Sequence, residues 1–156
     1  MRTVRRFCLW GPVRIRRILE TDCAQDFKTG KRKFDYDRNG KRLDLWFYLE
    51  RDRAGYESYV VDDSGTIVGI LCIQKRKDHL YLSRVGVREG FWSRGYGSEL
   101  VRFAVLKAVE YGYGKVVLES DEENVPFYED LGFRIVQRYA DSYWGVSASM
   151  ELALRL

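Results

Sequence analysis

A strand, a glycine turn and a helix follow one another in the middle of the chain, and this order constrains the fold most. Residues 80–87 read as a strand, residues 88–97 are rich in glycine, and residues 98–110 carry apolar side chains at helical spacing. The start of a helix leaves backbone N–H groups unpaired and carries a partial positive charge. Gly95 and Gly97 let the backbone approach an anion closely. The segment therefore predicts a pyrophosphate cradle.

Two side chains support this prediction. Ser98 adds a hydroxyl group, and Arg94 adds a charge-assisted contact. Two other phosphate motifs do not fit. A Walker loop needs Gly-Lys-Ser/Thr, which the chain lacks. A dinucleotide fingerprint needs a third glycine after a first strand, but Leu100 follows here, and three strands precede the turn.

The remaining periodicities predict one compact domain over residues 1–156, with no repeat and no linker. Strands are predicted at 13–19, 56–61, 66–73, 80–87, 115–120, 134–139 and 146–154. Helices are predicted from Thr21-Asp22, at 43–53, 98–110 and 126–131, with a loop or broken helix at 28–42 and a turn at 143–145. This order indicates an α/β or α+β fold with an antiparallel meander and one β-α-β crossover.

At this point the glycine turn resembles the cofactor loop of the GNAT superfamily, Gln/Arg-x-x-Gly-x-Gly/Ala, which follows a strand ending in Val. Here that strand ends at Val87, and the loop reads Trp92-Ser93-Arg94-Gly95-Tyr96-Gly97. Trp92 stands where Gln or Arg is usual, which puts a side-chain contact from that position in doubt. Binding would depend chiefly on backbone N–H groups.

A second block downstream is similar to the same family. It comprises the strand with Leu118 and Glu119, then Asn124, and then Tyr128 followed by Gly132-Phe133. The interval from Asn124 to Tyr128 is about one helical turn shorter than in many members. Met150-Glu151-Leu152 resembles the last strand of the family, so the resemblance covers roughly residues 56–154.

The resemblance implies a GNAT fold: a central mixed, mostly antiparallel sheet of six to seven strands with about four helices. It also implies direct transfer of an acetyl group from acetyl-CoA to a primary amine of a small molecule, a protein N-terminus or a lysine. The third and fourth sheet strands would splay apart and expose backbone to the pantetheine arm. The expected cofactor-binding residues are Val85, Gly86, Val87, Trp92, Ser93, Arg94, Gly95, Tyr96, Gly97, Ser98, Asn124 and Tyr128. Independently of the family, a glycine inside a strand indicates a bulge or a close backbone approach, here at Gly86.

Two side chains are candidates for proton transfer. Tyr128 would protonate the departing thiolate, although it also reads as an aromatic core residue beside Phe127 and Phe133. Many relatives carry an acidic base on the strand before the loop, where this chain has Ser83 and Arg84. Glu119 resembles the glutamate that serves as base in ribosomal-protein N-terminal acetyltransferases, but a strand residue faces either side with equal chance. Weaker candidates for the base are Asp78, His79 and Glu151.

Composition limits the other possibilities. The three cysteines are widely spaced and there is one histidine, so we expect buried free thiols and no metal site. No apolar run reaches the length of a membrane span, and no secretory signal is visible, so we expect a cytoplasmic protein. Residues 1–42 contain 13 Lys/Arg against 5 Asp/Glu. This surplus would suit a polyanion, but a solvated basic face is the simpler interpretation, and nucleic acid is kept as an alternative partner.

The acceptor pocket should be bounded by residues 20–55 and by the last hairpin around 139–144. The aromatic residues available there are Trp46, Phe47, Tyr48, Tyr143 and Trp144, of which Trp46 and Phe47 are expected in the core. Two alternatives to catalysis on a simple amine remain open. One is a non-catalytic acyl-CoA sensor. The other is an RNA-associated GNAT acting on aminoacyl-tRNA, since residues 27–35 weakly resemble the entry region of toxin-type members with that activity. Either a monomer or a homodimer is compatible with the sequence.

Overall fold

The computed structural model describes residues 13–141 and 145–155. The strands are β1 (Val13–Arg17), β2 (Glu57–Asp63), β3 (Thr66–Lys75), β4 (Leu80–Val87), β5 (Lys115–Asp121), β6 (Arg134–Asp141) and β7 (Gly145–Ala153). The α-helices are α1 (Arg32–Asp35), α2 (Leu45–Arg53), α3 (Tyr96–Glu110) and α4 (Val125–Asp130), with 3-10 turns at Glu20–Ala24 and Glu122–Asn124.

The described strands form one sheet in the order β1-β2-β3-β4-β5-β7-β6. All neighbours are antiparallel except β4 and β5, which run parallel. Parallel neighbours need a crossover connection, and α3 provides it. The expected GNAT architecture, a mixed and mostly antiparallel sheet with four α-helices, is confirmed.

Both faces of the sheet are covered by helices, which holds β4 and β5 rigidly in the middle. One face packs against α3 and α4 through a core that includes Leu82, Leu100, Leu118, Val125 and Met150. The other face packs against α2 and the first 3-10 turn through a core that includes Cys23, Leu45, Leu49, Val60 and Ile70. Burial of such side chains is the main stabilising contribution to the fold.

The helix boundaries follow from local capping. Asp44 accepts a hydrogen bond from the Phe47 N–H at 3.1 Å, so α2 begins at Leu45 rather than at residue 43. Gly95 is the N-cap of α3 with φ of 88°, and the helix begins two residues earlier than predicted, at Tyr96.

The first strand is shorter than predicted. It ends at Arg17 because the Asp22 carboxylate accepts a hydrogen bond from the Leu19 N–H at 2.8 Å and opens the first 3-10 turn. The helix start expected at Thr21-Asp22 is therefore a short 3-10 turn at Glu20–Ala24. The segment predicted as a loop or broken helix holds the single-turn helix α1.

The irregularity in β4 lies at Ser83. The register between β3 and β4 shifts there, so Ser83 has no partner on β3. Gly86, by contrast, pairs regularly with Ile70. A Cβ at Gly86 would lie 3.1 Å from Ile70 and 3.3 Å from Thr29. Of the two explanations that the sequence allowed for this glycine, close approach is correct and a bulge is wrong.

Several other expectations concern buried groups. Cys23 and Cys72 are buried free thiols as expected, and Cys8 lies outside the described residues. Trp46 was expected in the core, but its side chain is 46% exposed. Phe47 packs, partly buried, against the core under α2. The turn predicted at 143–145 falls mostly on residues outside the described part of the chain.

None of the helices in the described part of the chain is both long enough and apolar enough to cross a bilayer.

Candidate active site

The resemblance implied that the third and fourth strands splay apart, but β3 and β4 pair over residues 69–75 and 80–87. The sheet opens instead between β4 and β5. Their parallel pairing covers only residues 80–82 on β4 and 116–118 on β5, although the strands continue to Val87 and Asp121. Beyond Leu82, β4 pairs with β3 alone among the described strands. The edge of β4 that faces the gap therefore presents backbone groups to whatever lies in the gap.

The loop after β4 runs into the start of α3 beside this gap. Two of its residues, Ser93 with φ of 62° and Gly95 with φ of 88°, adopt left-handed backbone conformations. The N–H groups of Gly97 and Ser98 in the first helical turn have no hydrogen-bond acceptor within the described residues. Such N–H groups, with the helix dipole behind them, attract an anion.

Gap and loop share one cavity of about 740 Å³. Of the residues that the sequence assigned to the site, those lining it are Val85, Gly86, Val87, Trp92, Ser93, Gly95, Tyr96, Gly97, Ser98, Glu119, Asn124 and Tyr128. Arg94 is the exception. Its guanidinium group lies 4.8 Å from the centroid of the Phe91 ring and does not line the cavity.

Some of these residues line the cavity without offering a free side chain. The buried Tyr96 hydroxyl donates to Asp63 Oδ2 at 3.0 Å, so this ring belongs to the core. The Trp92 indole N–H donates to the carbonyl oxygen of Val87 at 3.2 Å, which fastens the loop to β4. The amide of Asn124 donates to Asp121 Oδ1 at 2.8 Å and thus holds the segment before α4.

Tyr128 lies on α4 at one wall of the cavity, half-buried. Its ring makes edge-to-face contacts with Phe127 and Phe133, at centroid distances of 5.0 and 5.8 Å. Burial, with a smaller contribution from the charge of Asp121, raises the pKa of the Tyr128 phenol above its ordinary value. The phenol therefore keeps its proton at neutral pH and can donate it, so the core and active-site interpretations of this residue are compatible.

Glu119 points into the cavity from β5. Its carboxylate accepts a hydrogen bond of 2.5 Å from the Tyr139 hydroxyl on β6 and one of 3.0 Å from the Ser149 hydroxyl on β7. Burial first, and then the hydrogen bond to Glu119, raise the pKa of Tyr139. Tyr139 therefore acts as a hydrogen-bond donor that orients a carboxylate at the cavity surface.

The three weaker candidates for the base do not line the cavity. Asp78 and His79 contact each other at 2.6 Å in the turn between β3 and β4. Glu151 forms ion pairs with Arg134 and Lys115.

Ion pairs connect the segment around α1 with the other side of the cavity. Lys33 Nζ lies 2.8 Å from the buried Asp121 carboxylate, and Lys31 Nζ lies 3.6 Å from Glu123. Arg38 pairs with Asp141 at 2.8 Å. The segment before α2 thus borders the cavity, and residues 20–55 were expected to bound the acceptor.

Other residues that line the cavity were not predicted as site residues. They include Thr29, Phe34, Arg51, Tyr81, Arg84 and Asp121. Tyr48, which was expected here, does line the cavity, and burial raises the pKa of its phenol to about 12. The sequence does not indicate such residues, because their positions depend on how the strands pair. For example, only the pairing of β5 with β7 shows that Ser149 lies beside Glu119.

A sheet opened between two parallel strands, with an anion-attracting helix start beside the opening, is the arrangement expected of an acyltransferase. The profile of the Acetyltransferase (GNAT) family matches residues 17–133, and the chain belongs to this family. Among the described residues, no three His, Cys, Asp or Glu side chains are grouped so that they could hold a metal ion.

Solved structures show the same fold at low sequence identity. Ard1 from Thermoplasma volcanium superposes with a TM-score of 0.75 at 19% identity, over 93% of this chain and 99% of that one. A putative streptothricin acetyltransferase from Bacillus anthracis, in complex with acetyl coenzyme A, gives 0.71 at 18% identity over 92% and 98%. The ribosomal-protein-S18-alanine N-acetyltransferase from Escherichia coli gives 0.70 at 16% identity over 92% and 95%.

Proposed function

We propose that the chain is a single-domain N-acetyltransferase that transfers an acetyl group from acetyl-CoA to a primary amine by direct attack. The observation that carries this proposal is the continuity of one cavity. It joins the unpaired amides of Gly97 and Ser98 to the gap beside β4, and the gap to Tyr128 and Glu119. A donor with a diphosphate at one end and a thioester at the other suits such a cavity.

Binding would use mainly backbone groups. The diphosphate would be held by the N–H groups of Gly97 and Ser98, since these are unpaired within the described residues and lie at the positive end of the helix dipole. The pantetheine arm would run along the edge of β4 between residues 83 and 87, which β5 leaves uncovered. A backbone N–H of this edge would polarise the thioester carbonyl.

Two side chains would manage the protons. Glu119, oriented by Tyr139 and Ser149, would accept a proton from the incoming ammonium group, since only a neutral amine can attack. Tyr128, whose raised pKa keeps it protonated, would donate a proton to the departing thiolate. The amine nitrogen would thereby form an amide bond as the carbon–sulfur bond breaks.

Release of free thiol from acetyl-CoA in the presence of a panel of primary amines tests the proposal. We expect amine-dependent release that saturates with acetyl-CoA. Thermal stabilisation by CoA should accompany it, because ligand at about 100 times its Kd adds about 2.7 kcal/mol of stability. Stabilisation by CoA without thiol release would instead support the acyl-CoA sensor, and stabilisation by an oligonucleotide alone would support a basic RNA- or DNA-associated protein with no CoA function.

A further inference from the structure

Two arginine side chains line the acceptor side of the cavity and converge on one aromatic ring. Arg51 comes from α2, and Arg84 comes from β4, one residue after the irregularity at Ser83. Their guanidinium carbons lie 4.9 and 5.5 Å from the centroid of the Phe47 ring. Arg51 also lies 5.0 Å from the centroid of the Tyr56 ring. Stacking on aromatic faces holds both groups in place and leaves their N–H donors free for another partner.

Neither guanidinium group has a carboxylate partner within the described residues, although both side chains are half-buried. Most other arginines of the described chain do form ion pairs: Arg14, Arg16, Arg17, Arg38, Arg42, Arg53, Arg102, Arg134 and Arg138. Both guanidinium groups therefore have N–H donors available to an anion supplied by a ligand.

A carboxylate also lines the cavity without pairing with these arginines. Glu119, on β5, is held by Tyr139 and Ser149 and forms no ion pair with Arg51 or Arg84 among the described residues. The cavity thus presents a carboxylate from β5 and guanidinium groups from α2 and β4.

Tyr81 lines the cavity as well. Burial, and then the charge of Glu119, raise the pKa of its phenol, while Arg76, stacked on the ring at 4.0 Å, and more weakly Arg84 lower it. A ligand that carries both an ammonium group and an anionic group matches the mixed charges of this cavity.

We propose that the amine acceptor carries a carboxylate group, which Arg51 and Arg84 bind while Glu119 receives the amine. Guanidinium groups bind carboxylates through two parallel N–H···O bonds, which fixes orientation as well as affinity. The substrate class is thus a small amino carboxylic acid. This inference rests on the proposed function, since it specifies the acceptor of the same reaction.

A matched series of acceptors tests the proposal. Glycine, β-alanine, γ-aminobutyrate and 5-aminovalerate are compared with alkylamines of the same chain lengths, using thiol release from acetyl-CoA. We expect at least one amino acid to exceed its matched amine in kcat/KM by about 10- to 100-fold, the range of a charge-assisted hydrogen bond. Arg84→Gln and Arg51→Gln should each reduce this preference while the KM for acetyl-CoA stays the same.

Arg32→Gln is the control, since Arg32 also stacks on a ring, that of Tyr36 at 4.7 Å, but does not line the cavity. Binding of the same amino acids to the protein saturated with CoA is measured by calorimetry in parallel, so that the test does not depend on turnover. Equal kcat/KM within each pair, or no carboxylate-dependent binding to the CoA complex, overturns this inference. Absence of CoA binding would instead overturn the proposed function.

Discussion

At the scale of single residues, the candidate site depends on where two protons are held. Tyr128 packs edge-to-face against the rings of Phe127 and Phe133, and burial, with a smaller contribution from the charge of Asp121, raises the pKa of its phenol. Glu119 lies at the cavity surface, where two hydroxyl groups fix its orientation. One residue therefore retains a proton at neutral pH, and the other offers acceptor oxygens to an amine.

The phenol of Tyr128 can be removed without disturbing its packing. Because Tyr128→Phe keeps the ring, we expect kcat to fall by about 100-fold or more, the lower end for a general acid, with little change in acetyl-CoA affinity. Steady-state kinetics and calorimetry check the two parts separately. An unchanged kcat would remove Tyr128 from the mechanism.

The carboxylate of Glu119 is tested through pH dependence. Glu119→Gln should lower kcat/KM for the amine and abolish the acidic limb of the pH–rate profile, because the amide cannot take up the proton. Glu151→Gln is a matched control, since Glu151 lies on the adjacent strand and does not line the cavity. A Glu119→Gln profile that coincides with the wild-type profile would place the base elsewhere.

All the expected cofactor-binding residues except Arg94 line the cavity, because most of them belong to one contiguous segment, residues 85–98. The sequence alone could not decide which face Glu119 occupies, since this depends on strand pairing. The role suggested for Arg94 also depended on side-chain direction, and the structure turns that guanidinium towards Phe91 instead. Arg51 and Arg84 were not predicted as site residues, because they are far apart in sequence and only the folded chain brings both against the Phe47 ring.

At the scale of elements, the loop before α3 is shaped by its left-handed residues. Gly95 caps the helix with φ of 88°, a conformation that costs an L-residue about 1–2 kcal/mol. An L-residue at this position would therefore either bear this cost or let the loop relax, which would turn the first amides of α3 away from the gap. The proposed phosphate-binding geometry depends on this glycine.

Two alanine substitutions distinguish the effect of the left-handed conformation at Gly95 from the effect of replacing any glycine by alanine. Gly95→Ala should lower the free energy of unfolding by about 1–2 kcal/mol and weaken acetyl-CoA binding. Gly114→Ala should change neither appreciably, because its φ is not positive and no atom lies within 4 Å of the added Cβ. Urea denaturation and calorimetry provide the two readouts. Equal acetyl-CoA affinity in wild type and Gly95→Ala would contradict this account of the loop.

At the scale of the whole molecule, the order of the elements and the mixed sheet followed from the sequence, because hydrophobic period and turn residues are local signals. The opening between β4 and β5 did not follow from these signals, and the family resemblance placed it between the third and fourth strands instead. The end of β1 and the start of α2 differ from the predicted bounds, because the side chains of Asp22 and Asp44 accept backbone hydrogen bonds there. Tertiary ion pairs, which tie the first strand to the sheet, left no local signal.

The ion pair of Arg16 on β1 with Asp22 in the first 3-10 turn gives a pH-dependent prediction. Burial alone would raise the pKa of Asp22, but hydrogen bonds from Arg16 and the Leu19 N–H lower it below the ordinary 3.8. A lowered folded-state pKa stabilises the protein above that ordinary value, and the stabilisation is lost as pH falls through the folded pKa. Asp22→Asn should therefore cost about 2 kcal/mol at neutral pH.

Urea denaturation at a series of pH values checks this behaviour. The difference between wild type and Asp22→Asn should shrink as pH falls below 3.8. Glu129→Gln, at an exposed position on α4, should give no difference at any pH. A constant difference for Asp22→Asn across the acidic range would mean that the charge of Asp22 contributes nothing.

The central claim is that the first amides of α3 bind the diphosphate of acetyl-CoA. At 18.4 kDa the protein suits a titration of its ¹⁵N-labelled form with acetyl-CoA, followed by amide chemical shifts. We predict saturable binding in which the amides of Gly97 and Ser98 shift among the most strongly. Saturable shifts that leave both of these amides unchanged, or no shifts at all, would contradict the claim.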